Sequence, residues 1–421
     1  MSSSRRFYEY CMRCQKRFDS DRFRTRCDVC AGAMDVEYDL EKVEIYPNES
    51  NPILRYRDLI PVMDPSNCVS VGAGNTPCVH ARALGRLLGL PNLFLKDETK
   101  NPTGTVKDRP AEVVLSYLKE RGTWHFTSSA TGNSSTAFAR ACILNPPFQH
   151  SIFVGERWLD RLTFDANERV HVWVLEGKDV STKEAIAFSR KWERENDVPA
   201  EGGFFNIGRR EGLKLAYLEA VDQLSTSFDW YVQGVSTAMG AFGTYKGALQ
   251  YRTLGRVDRI PKMGLVQEST CAPQVHAWRE GSSTIQPHHI LKNPDGIADA
   301  LLKGDHSETY PYVHQMMMHT GGTFVSVTAD EIRAARRAIL EYEGISACCA
   351  ASTTVAGIRK LVERGEMKPE ERILVALTGS DRNPAHHVKT YRRVVRTKDG
   401  WEPEVKGAKE AKEAKEDGAA A

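Results

Sequence analysis

The sequence predicts a parallel α/β protein of two domains with a small cysteine-rich module at its N-terminus. Apolar strand-like runs at 151–154 and 170–175 precede a helical stretch at 181–194, and this alternation is typical of parallel sheets. The 421 residues, 41% of them hydrophobic, are enough for two cores and a small third unit. Two C-x-x-C pairs within the first thirty residues define the module.

Composition excludes several classes of function. The net charge of +2 gives no bulk attraction to nucleic acid or to a membrane surface. No apolar run approaches the roughly 20 residues that span a bilayer, and the start of the chain lacks the apolar core of a signal peptide. Six of the ten cysteines are scattered, which suits a reducing compartment. We therefore expect a cytoplasmic protein without a nucleic-acid or membrane partner.

Four cysteines near the N-terminus have the spacing of a structural zinc site. Each C-x-x-C pair can bend into a knuckle with both thiolates pointing inward, and two knuckles make a closed tetrahedral site. Neighbouring arginines and lysines would offset its negative charge. Thiol exchange is the alternative reading of C-x-x-C, but two pairs at this spacing favour zinc. The predicted ligands are Cys11, Cys14, Cys27 and Cys30.

Lys107 is the candidate for catalysis. An apolar run at 92–95 predicts a strand, Asn101 to Gly104 predict a turn, and a helical pattern follows. Lys107 thus lies at or near a helix start, whose positive end disfavours a charged amine. A lowered amine pKa leaves the free base that imine chemistry needs. The alternative is a surface lysine in a salt-bridged K-D-R triplet.

Three further stretches place polar groups where parallel α/β proteins bind ligands. The small-residue turn at 127–135 opens a helix, whose free N–H groups suit a carboxylate, although a simple N-cap is the alternative. A strand at 229–235 leads through small residues into a helix, the arrangement that cradles phosphate. A buried-type strand at 372–377 ends in the hydroxyls of Thr378 and Ser380.

The segment from Leu95 to Arg109 reads L-K-D-E-T-K-N-P-T-G-T-V-K-D-R. It resembles the lysine segment of fold-type II pyridoxal 5′-phosphate (PLP) enzymes, and within them the threonine synthase group, roughly K-x-E-x-x-N-P-T-G-S-F-K-D-R. Thr105-Val106 stands where Ser-Phe is usual. The resemblance extends from residue 8 to about 390 and implies a tryptophan synthase β-like fold, PLP as cofactor, a structural zinc ion, a small amino-acid substrate and a homodimer.

The resemblance also implies roles for individual residues. Lys107 would bind PLP covalently and take the α-proton of the substrate. Thr378, or Ser380 as second candidate, would meet the pyridine nitrogen, and Arg209 would face the substrate side chain. The remaining cofactor-binding candidates are Asn133 and the phosphate loop Ser236, Thr237, Ala238, Met239 and Gly240; those for the substrate carboxylate are Ser129, Ala130, Thr131, Gly132 and Ser134.

Several departures from the family pattern bear on the substrate. The phosphate loop retains only Gly240 of two or three usual glycines, and Asp381 replaces a glycine. Gly203-Phe204-Phe205 precedes Asn206 where N-S-x is usual, so phosphate donors worth roughly 1.5–3 kcal/mol each are missing. We therefore expect PLP-dependent β- or γ-elimination or replacement with a changed substrate pocket.

Three alternatives stay open at this point. The first is threonine synthase proper, which converts O-phosphohomoserine to threonine and phosphate. The second is cysteate synthase-like replacement on O-phosphoserine. The third is a non-catalytic zinc-ribbon adaptor on a degenerate enzyme fold.

The domain organisation expected from these motifs is a zinc ribbon at 1–40 and a large PLP-binding domain at 41–109 and 216–400. A small mobile α/β domain is expected at 110–215. The low-complexity charged stretch at 401–421 predicts a disordered tail.

Overall fold

The computed structural model describes residues 6–129, 132–381, 386–398 and 400–404. The chain divides into two compact units, one formed by 1–123 with 202–382 and the other by 124–201 with 383–421. Residues 124–201 of the second unit lie inside the predicted small domain. Most of the predicted tail, 405–421, lies outside the described residues. Its first residues, however, are not part of a disordered tail, because 401–403 belong to a strand that pairs with its neighbour.

Fourteen strands and eleven α-helices make up the described fold. The strands are β1 Phe7–Cys11, β2 Arg17–Phe18, β3 Met34–Tyr38, β4 Cys78–His80, β5 Leu93–Asp97, β6 His125–Ser128, β7 Gln149–Gly155, β8 Val170–Leu175, β9 Trp230–Gly234, β10 Lys262–Glu268, β11 Thr323–Val327, β12 Ile373–Leu377, β13 Arg392–Thr397 and β14 Gly400–Pro403. The helices are α1 Pro52–Arg55, α2 Arg82–Leu88, α3 Asp108–Glu120, α4 Asn133–Leu144, α5 Thr182–Asn196, α6 Ile207–Leu224, α7 Met239–Thr253, α8 Pro273–Arg279, α9 Tyr310–Thr320, α10 Ala329–Glu343 and α11 Cys349–Glu363. Among the described helices, none is both long and apolar enough to cross a membrane.

The first unit is built on a six-stranded sheet with the order β11-β10-β9-β12-β5-β4. Its strands are parallel except for β4, which runs antiparallel to β5 at one edge. Every residue of β12 is buried, as expected of a strand covered on both faces. The predicted strands at 92–95, 229–235 and 372–377 are confirmed as β5, β9 and β12.

The N-terminal module is a separate antiparallel sheet of order β2-β1-β3 in the same unit. Strand β1 pairs with β3 along its whole length, from Phe7 opposite Tyr38 to Cys11 opposite Met34. We call residues 6–38 the ribbon.

The second unit has a five-stranded sheet of order β14-β13-β8-β7-β6. Strands β6, β7, β8 and β13 are parallel, and β14 closes the edge as an antiparallel hairpin partner of β13. The predicted strands at 151–154 and 170–175 are confirmed as parts of β7 and β8. Helix α5 begins with a reciprocal capping box between Ser181 and Glu184, which explains why the predicted helix starts there.

Helix α3 holds a preceding loop of the first unit through one buried carboxylate. Oε1 of Glu112 accepts hydrogen bonds from the backbone N–H of Val71 (2.5 Å), the backbone N–H of Ala73 (3.0 Å) and the hydroxyl of Ser70 (3.1 Å). Burial outweighs these bonds and raises the pKa of Glu112 to about 6. Folding thus favours the protonated form of the Glu112 carboxyl over the ionised form.

We predict that Glu112 contributes a pH-dependent part of stability between its ordinary pKa of 4.5 and its folded pKa of about 6. Because the folded pKa is raised, the contribution is complete below pH 4.5 and is lost as the pH rises through 6, a change of about 2 kcal/mol. Glu112→Gln keeps the Oε1 acceptor and should remove this dependence, measured as the difference in free energy of unfolding from the native protein across this range. Substitution of the exposed Glu363 by Gln is the control, and an identical pH dependence in both variants would contradict the assignment.

Candidate functional site

Three loops of the first unit leave the same edge of the six-stranded sheet. Strand β12 lies between β5 and β9, and all three are parallel, so their carboxyl ends are neighbours. The loop after β5 carries Lys107, the loop after β9 leads into α7, and the loop after β12 begins with Thr378. Ligands of open parallel sheets bind at this edge, where the strand order changes direction.

The Lys107 turn is fastened directly to the end of β12. The N–H of Val106 donates to the carbonyl of Thr378 (2.9 Å), and the N–H of Ser380 donates to the carbonyl of Gly104 (2.9 Å). The hydroxyl of Ser380 also lies 3.2 Å from that carbonyl. Gly104 has a φ of 72°, and a Cβ added there would lie 2.6 Å from the Ser380 Oγ. A glycine is therefore required at this turn.

The side chains of Thr378 and Ser380 have different surroundings. Ser380 is engaged with the backbone of the Lys107 turn. Thr378 lines a small cavity together with Val106, Gln233 and Gly240. The sequence left these two hydroxyls as alternatives; the structure distinguishes them by their contacts.

A buried ionic network lies beneath the Lys107 turn. The guanidinium of Arg109 binds Glu98 through two parallel bonds, from Nε (2.7 Å) and Nη2 (2.8 Å), and Glu219 through Nη2 (2.9 Å). The ammonium of Lys96 donates to the same Glu219 at 2.6 Å. All four side chains are no more than 2% exposed. Two cations and two carboxylates compensate one another, which is the condition for burying them.

The polar residues around this network complete it. Asn101 donates to Glu98 (2.7 Å) and accepts from the N–H of Gly74 (2.9 Å). The Oδ2 of Asp108 accepts from both the backbone N–H (2.7 Å) and the hydroxyl (2.9 Å) of Thr103. These polar residues of the segment from Leu95 to Arg109 therefore support the turn that presents Lys107.

Lys107 is half-buried and immediately precedes α3. Burial, together with the positive charge of Arg209, lowers the pKa of its amine to about 8. Arg209 is itself buried in the first turn of α6. The predicted direction of the pKa shift is confirmed, but burial is its main cause.

The loop between β9 and α7 has the form of an anion cradle. Ala238 adopts a left-handed conformation with φ 56° and opens α7, whose first N–H groups have no partner inside the helix. Ser236 and Thr237 are half-buried, and the side-chain amide of Gln274 fixes the Ser236 carbonyl at 2.5 Å. A Cβ added to Gly240 would lie 2.7 Å from Gln233 Nε2. Ala238 thus adopts the left-handed conformation that glycine usually supplies, and the loop forms without a glycine at this position.

The predicted carboxylate-binding residues belong to the second unit. Asn133 is the first residue of α4, Ser134 follows it, and Gly132 precedes it with φ 122°. A Cβ on Gly132 would lie 2.6 Å from Cβ of Arg161, so the turn requires glycine. Ser129 directly follows β6, whereas Ala130 and Thr131 lie outside the described residues.

The neighbouring strand supports this turn through a buried hydroxyl network. Ser128, the last residue of β6, lies 3.0 Å from the Ser135 hydroxyl and 2.8 Å from Nε2 of the fully buried His150. These contacts tie the end of β6 to the first turn of α4.

The four predicted metal ligands come together in the ribbon. Their sulfur atoms all lie within 4.8 Å of one another, with 3.4 Å between those of Cys11 and Cys30 and 3.7 Å between those of Cys14 and Cys27. A zinc ion with four sulfur ligands at about 2.3 Å requires sulfur–sulfur distances of about 3.8 Å. The N–H groups of Arg13 and Cys14 point at the Cys11 sulfur, and that of Val29 at the Cys27 sulfur. The cluster therefore fits a tetrahedral metal ion.

A second group of possible ligands, Glu280, His288 and His289, lies outside the predicted sites. The Nδ1 of His289 accepts the N–H of Gln286 (3.0 Å), so a neutral ring carries its proton on Nε2, which lies 2.8 Å from Glu280. That proton occupies the position a metal would take. We therefore interpret this group as hydrogen-bonded side chains.

A parallel α/β fold with a helix start and a partly buried lysine at the carboxyl edge of its sheet is the arrangement of a class of enzymes that bind phosphorylated cofactors. The chain belongs to the family of pyridoxal-phosphate-dependent enzymes, whose family model matches residues 69–379. The predicted family and fold class are confirmed.

Relatives and solved structures agree with this assignment. The chain is 29% identical to the threonine synthase of Methanocaldococcus jannaschii over 88% of this chain and 91% of that protein. It is 26% identical to the cysteate synthase of Methanospirillum hungatei, covering 88% of each. The fold resembles that of serine racemase from Dictyostelium discoideum, with a TM-score of 0.57 and 19% identity over 74% of this chain and 93% of that one. It also resembles threonine deaminase isoform 2 from Solanum lycopersicum, with a TM-score of 0.59 and 16% identity over 81% and 93%.

Sequence reasoning missed two features of this site. Glu219 was not singled out, because nothing near it in the chain marks it as the partner of Arg109, 110 residues away. Thr76, within the G-N-T-P turn, accepts from Arg109 Nη2 (3.0 Å) and donates to Glu98 (2.7 Å). The hydroxyl of Thr76 in this turn is the sequence signal that could have identified it.

We predict that Arg209→Gln raises the pKa of Lys107 above its value of about 8, because a repelling charge is removed. Burial persists, so the pKa stays below the ordinary 10.5. The measurement is competitive acetylation of the Lys107 amine in cofactor-free protein as a function of pH, read by mass spectrometry. The exposed Arg252→Gln in α7 is the control. An unchanged midpoint in the Arg209 variant would refute the interaction.

Proposed function

We propose that this protein uses PLP to catalyse elimination or replacement at the β- or γ-carbon of an amino-acid substrate. The observation that carries the proposal is the half-buried amine of Lys107, with a pKa of about 8, on a turn fastened to the Thr378 end of β12. PLP, when bound, withdraws electrons from the substrate Cα and so permits loss of its proton. Family membership supports an enzyme and argues against the non-catalytic adaptor.

The residues of the first unit fit PLP. The start of α7, with the hydroxyls of Ser236 and Thr237, suits its phosphate by N–H donation and helix dipole. Lys107 is the covalent attachment point. We assign the pyridine nitrogen to Thr378 because the Ser380 hydroxyl is engaged with Gly104. A neutral hydroxyl would not hold the ring protonated as a carboxylate does, which suits elimination and replacement.

The chain's own groups supply the proton transfer and the substrate binding. The lowered pKa of Lys107 gives it a substantial free-amine fraction near neutral pH, so it can accept the α-proton and return it. The guanidinium of Arg209 provides a fixed positive charge for an anionic substrate side chain. Asn133 is proposed to hydrogen-bond the cofactor. Ser129, Ala130, Thr131, Gly132 and Ser134 are proposed to receive the substrate carboxylate.

The segment before α6 supports a changed substrate pocket. Phe204 stands where the family resemblance expects a serine, and it packs in an aromatic cluster with Phe242 and Tyr312, at ring-centroid distances of 5.7 and 6.1 Å. The guanidinium of Arg26 lies 3.5 Å from the ring centre of Phe205. Aromatic packing thus replaces hydroxyl and amide donors beside Arg209. We propose a substrate whose leaving group needs fewer donors than the phosphate of O-phosphohomoserine.

Two specific activities with a phosphate leaving group remain as alternatives to this proposal. Retention of Arg209, together with the likeness to a protein named threonine synthase, favours O-phosphohomoserine. The likeness to proteins named cysteate synthase favours β-replacement on O-phosphoserine. Both substrates release phosphate but give different products. The expected homodimer, cytoplasmic location and lack of a nucleic-acid partner stay predictions.

We predict that the purified protein with PLP shows the visible absorbance band of lysine-bound cofactor, and that Lys107→Ala abolishes both band and turnover. Loss of the only covalent attachment point is the physical reason. The exposed Lys100→Ala in the same loop is the matched control and should keep the band. A yellow, active Lys107→Ala protein would overturn the assignment.

The same preparation identifies the substrate class. O-phosphohomoserine and O-phosphoserine are added separately, the first with water as the nucleophile and the second with sulfite. Spectral change, phosphate release and amino-acid product are recorded. Threonine with phosphate from O-phosphohomoserine would identify threonine synthase activity. Cysteate from O-phosphoserine would identify cysteate synthase activity. If the protein binds PLP but catalyses neither reaction, the assignment as a PLP enzyme stands, and the result points to a substrate without phosphate.

For the ribbon we propose a structural zinc ion on Cys11, Cys14, Cys27 and Cys30. We predict about one zinc per chain by elemental analysis. Cys14→Ser should lower zinc content and thermal stability, because one of four ligands is lost. Cys68→Ser, outside the cluster, is the control and should keep the metal. A protein purified with zinc present that holds none would refute the site.

A further inference from the structure

The ribbon is joined to the body of the first unit by buried charges and hydrogen bonds. Strand β1 contributes Glu9, and strand β3 contributes Asp35 and Tyr38. All three side chains are buried. Their partners lie on α3, α6 and α7, and each of these helices begins at the candidate site. The ribbon therefore contacts the helices that carry Lys107, Arg209 and the phosphate loop.

Asp35 links two of these helices. Its Oδ1 lies 2.8 Å from the ammonium of Lys246 in α7 and 3.3 Å from Nη2 of Arg210 in α6. Arg210 also donates to the carbonyls of Met34 in the ribbon and Phe204 before α6. A single carboxylate, 3% exposed, thus holds the first turn of α6 and the second turn of α7 to one strand.

Glu211 makes the second connection at the same place. It accepts the Tyr38 hydroxyl at 2.6 Å and pairs with Lys246 at 2.8 Å and with Lys214. The network alternates acids and bases across the boundary of ribbon and helices. Sliding either helix along β3 would separate buried charges from their partners, which costs far more than sliding an apolar contact.

The ribbon contacts of α6 and α7 lie close to the residues of the candidate site. Arg210 directly follows Arg209, whose charge lowers the pKa of Lys107. Lys246 lies two turns into α7, whose first turn follows the phosphate loop. Asp35 and Glu211 therefore fix the axial position of α6 and α7, whose first turns are assigned to the proposed site. By contrast, Glu9 binds Arg121 (2.6 Å) and Tyr117 (3.0 Å) at the far end of α3, three turns from Lys107.

We propose that Asp35 is a positioning residue for the cofactor, acting from the ribbon through Arg210 and Lys246. It holds the start of α6 against Lys107 and the start of α7 around the cofactor phosphate. The ribbon is accordingly a component of the PLP site, although none of its residues is assigned to contact PLP. This inference rests on the proposed PLP-dependent function.

The test compares Asp35→Asn with Glu9→Gln in the full-length protein. Both substitutions remove a buried ribbon carboxylate, but only the first lies beside the helix starts. PLP affinity is measured by titrating cofactor-free protein and reading the absorbance of bound PLP, and thermal unfolding is recorded alongside. We expect Asp35→Asn to weaken PLP binding by about tenfold or more, the loss of one charge-assisted contact. Glu9→Gln should lower thermal stability and leave PLP affinity unchanged.

A second readout separates positioning from loss of stability. If α6 shifts, Arg209 moves relative to Lys107, and the pH midpoint of PLP attachment changes in Asp35→Asn. The exposed Glu37→Gln on the same strand should change neither quantity. Lys246→Met removes the other half of the pair and should reproduce the weaker binding. It serves as the test should Asp35→Asn fail to fold.

The possible outcomes are distinct. Native PLP affinity and pH midpoint in folded Asp35→Asn and Lys246→Met would overturn the positioning role and leave the proposed function intact. Equal weakening by Glu9→Gln would also overturn it, because general loosening of the ribbon would then suffice. Failure of the unsubstituted protein to bind PLP would refute the proposed function itself.

Discussion

The site depends on burying the guanidinium of Arg109 between Glu98 and Glu219. Each buried charge costs several kcal/mol in lost hydration, and the cost is offset only when all partners are in place. Here two bonds to Glu98, two to Glu219 and the Lys96 contact complete the set. Removing one member would leave a buried charge without compensation, at about 3–5 kcal/mol. The network therefore admits one arrangement of the turn that precedes α3.

This constraint also determines the electrostatics of Lys107. Two carboxylates of the same segment are already committed, Glu98 to Arg109 and Asp108 to Thr103. The charge that acts on Lys107 is the positive one of Arg209, which adds to the effect of burial. A lysine beside acidic groups would keep a high pKa and remain charged. Because Glu98 and Asp108 are used for structure, the amine of Lys107 keeps the lowered pKa that imine chemistry needs.

The sequence predicted what depends on short-range pattern. Strands β5, β9 and β12 have apolar runs of the right length, and Lys107 lies in a segment specific enough to identify the family. The partner of Arg109 and the contacts of Asp35 could not be predicted, because they join residues 110 to 211 positions apart and depend on tertiary packing. The left-handed conformation of Ala238 also escaped, since alanine gives no local signal for it.

The charged boundary between ribbon and helices requires an explanation beyond stability. Apolar side chains of equal volume at such a boundary are often as stabilising as ion pairs or more so, because they carry no desolvation cost. They would, however, tolerate small shifts of one helix along another. Charges that must meet within about 3 Å do not tolerate such shifts, and here they lie in the first turn of α6 and the second turn of α7. The proposed site, with a phosphate at one helix start and an arginine at another, would gain from fixed positions. We infer that this accounts for charges where apolar packing would have served for stability.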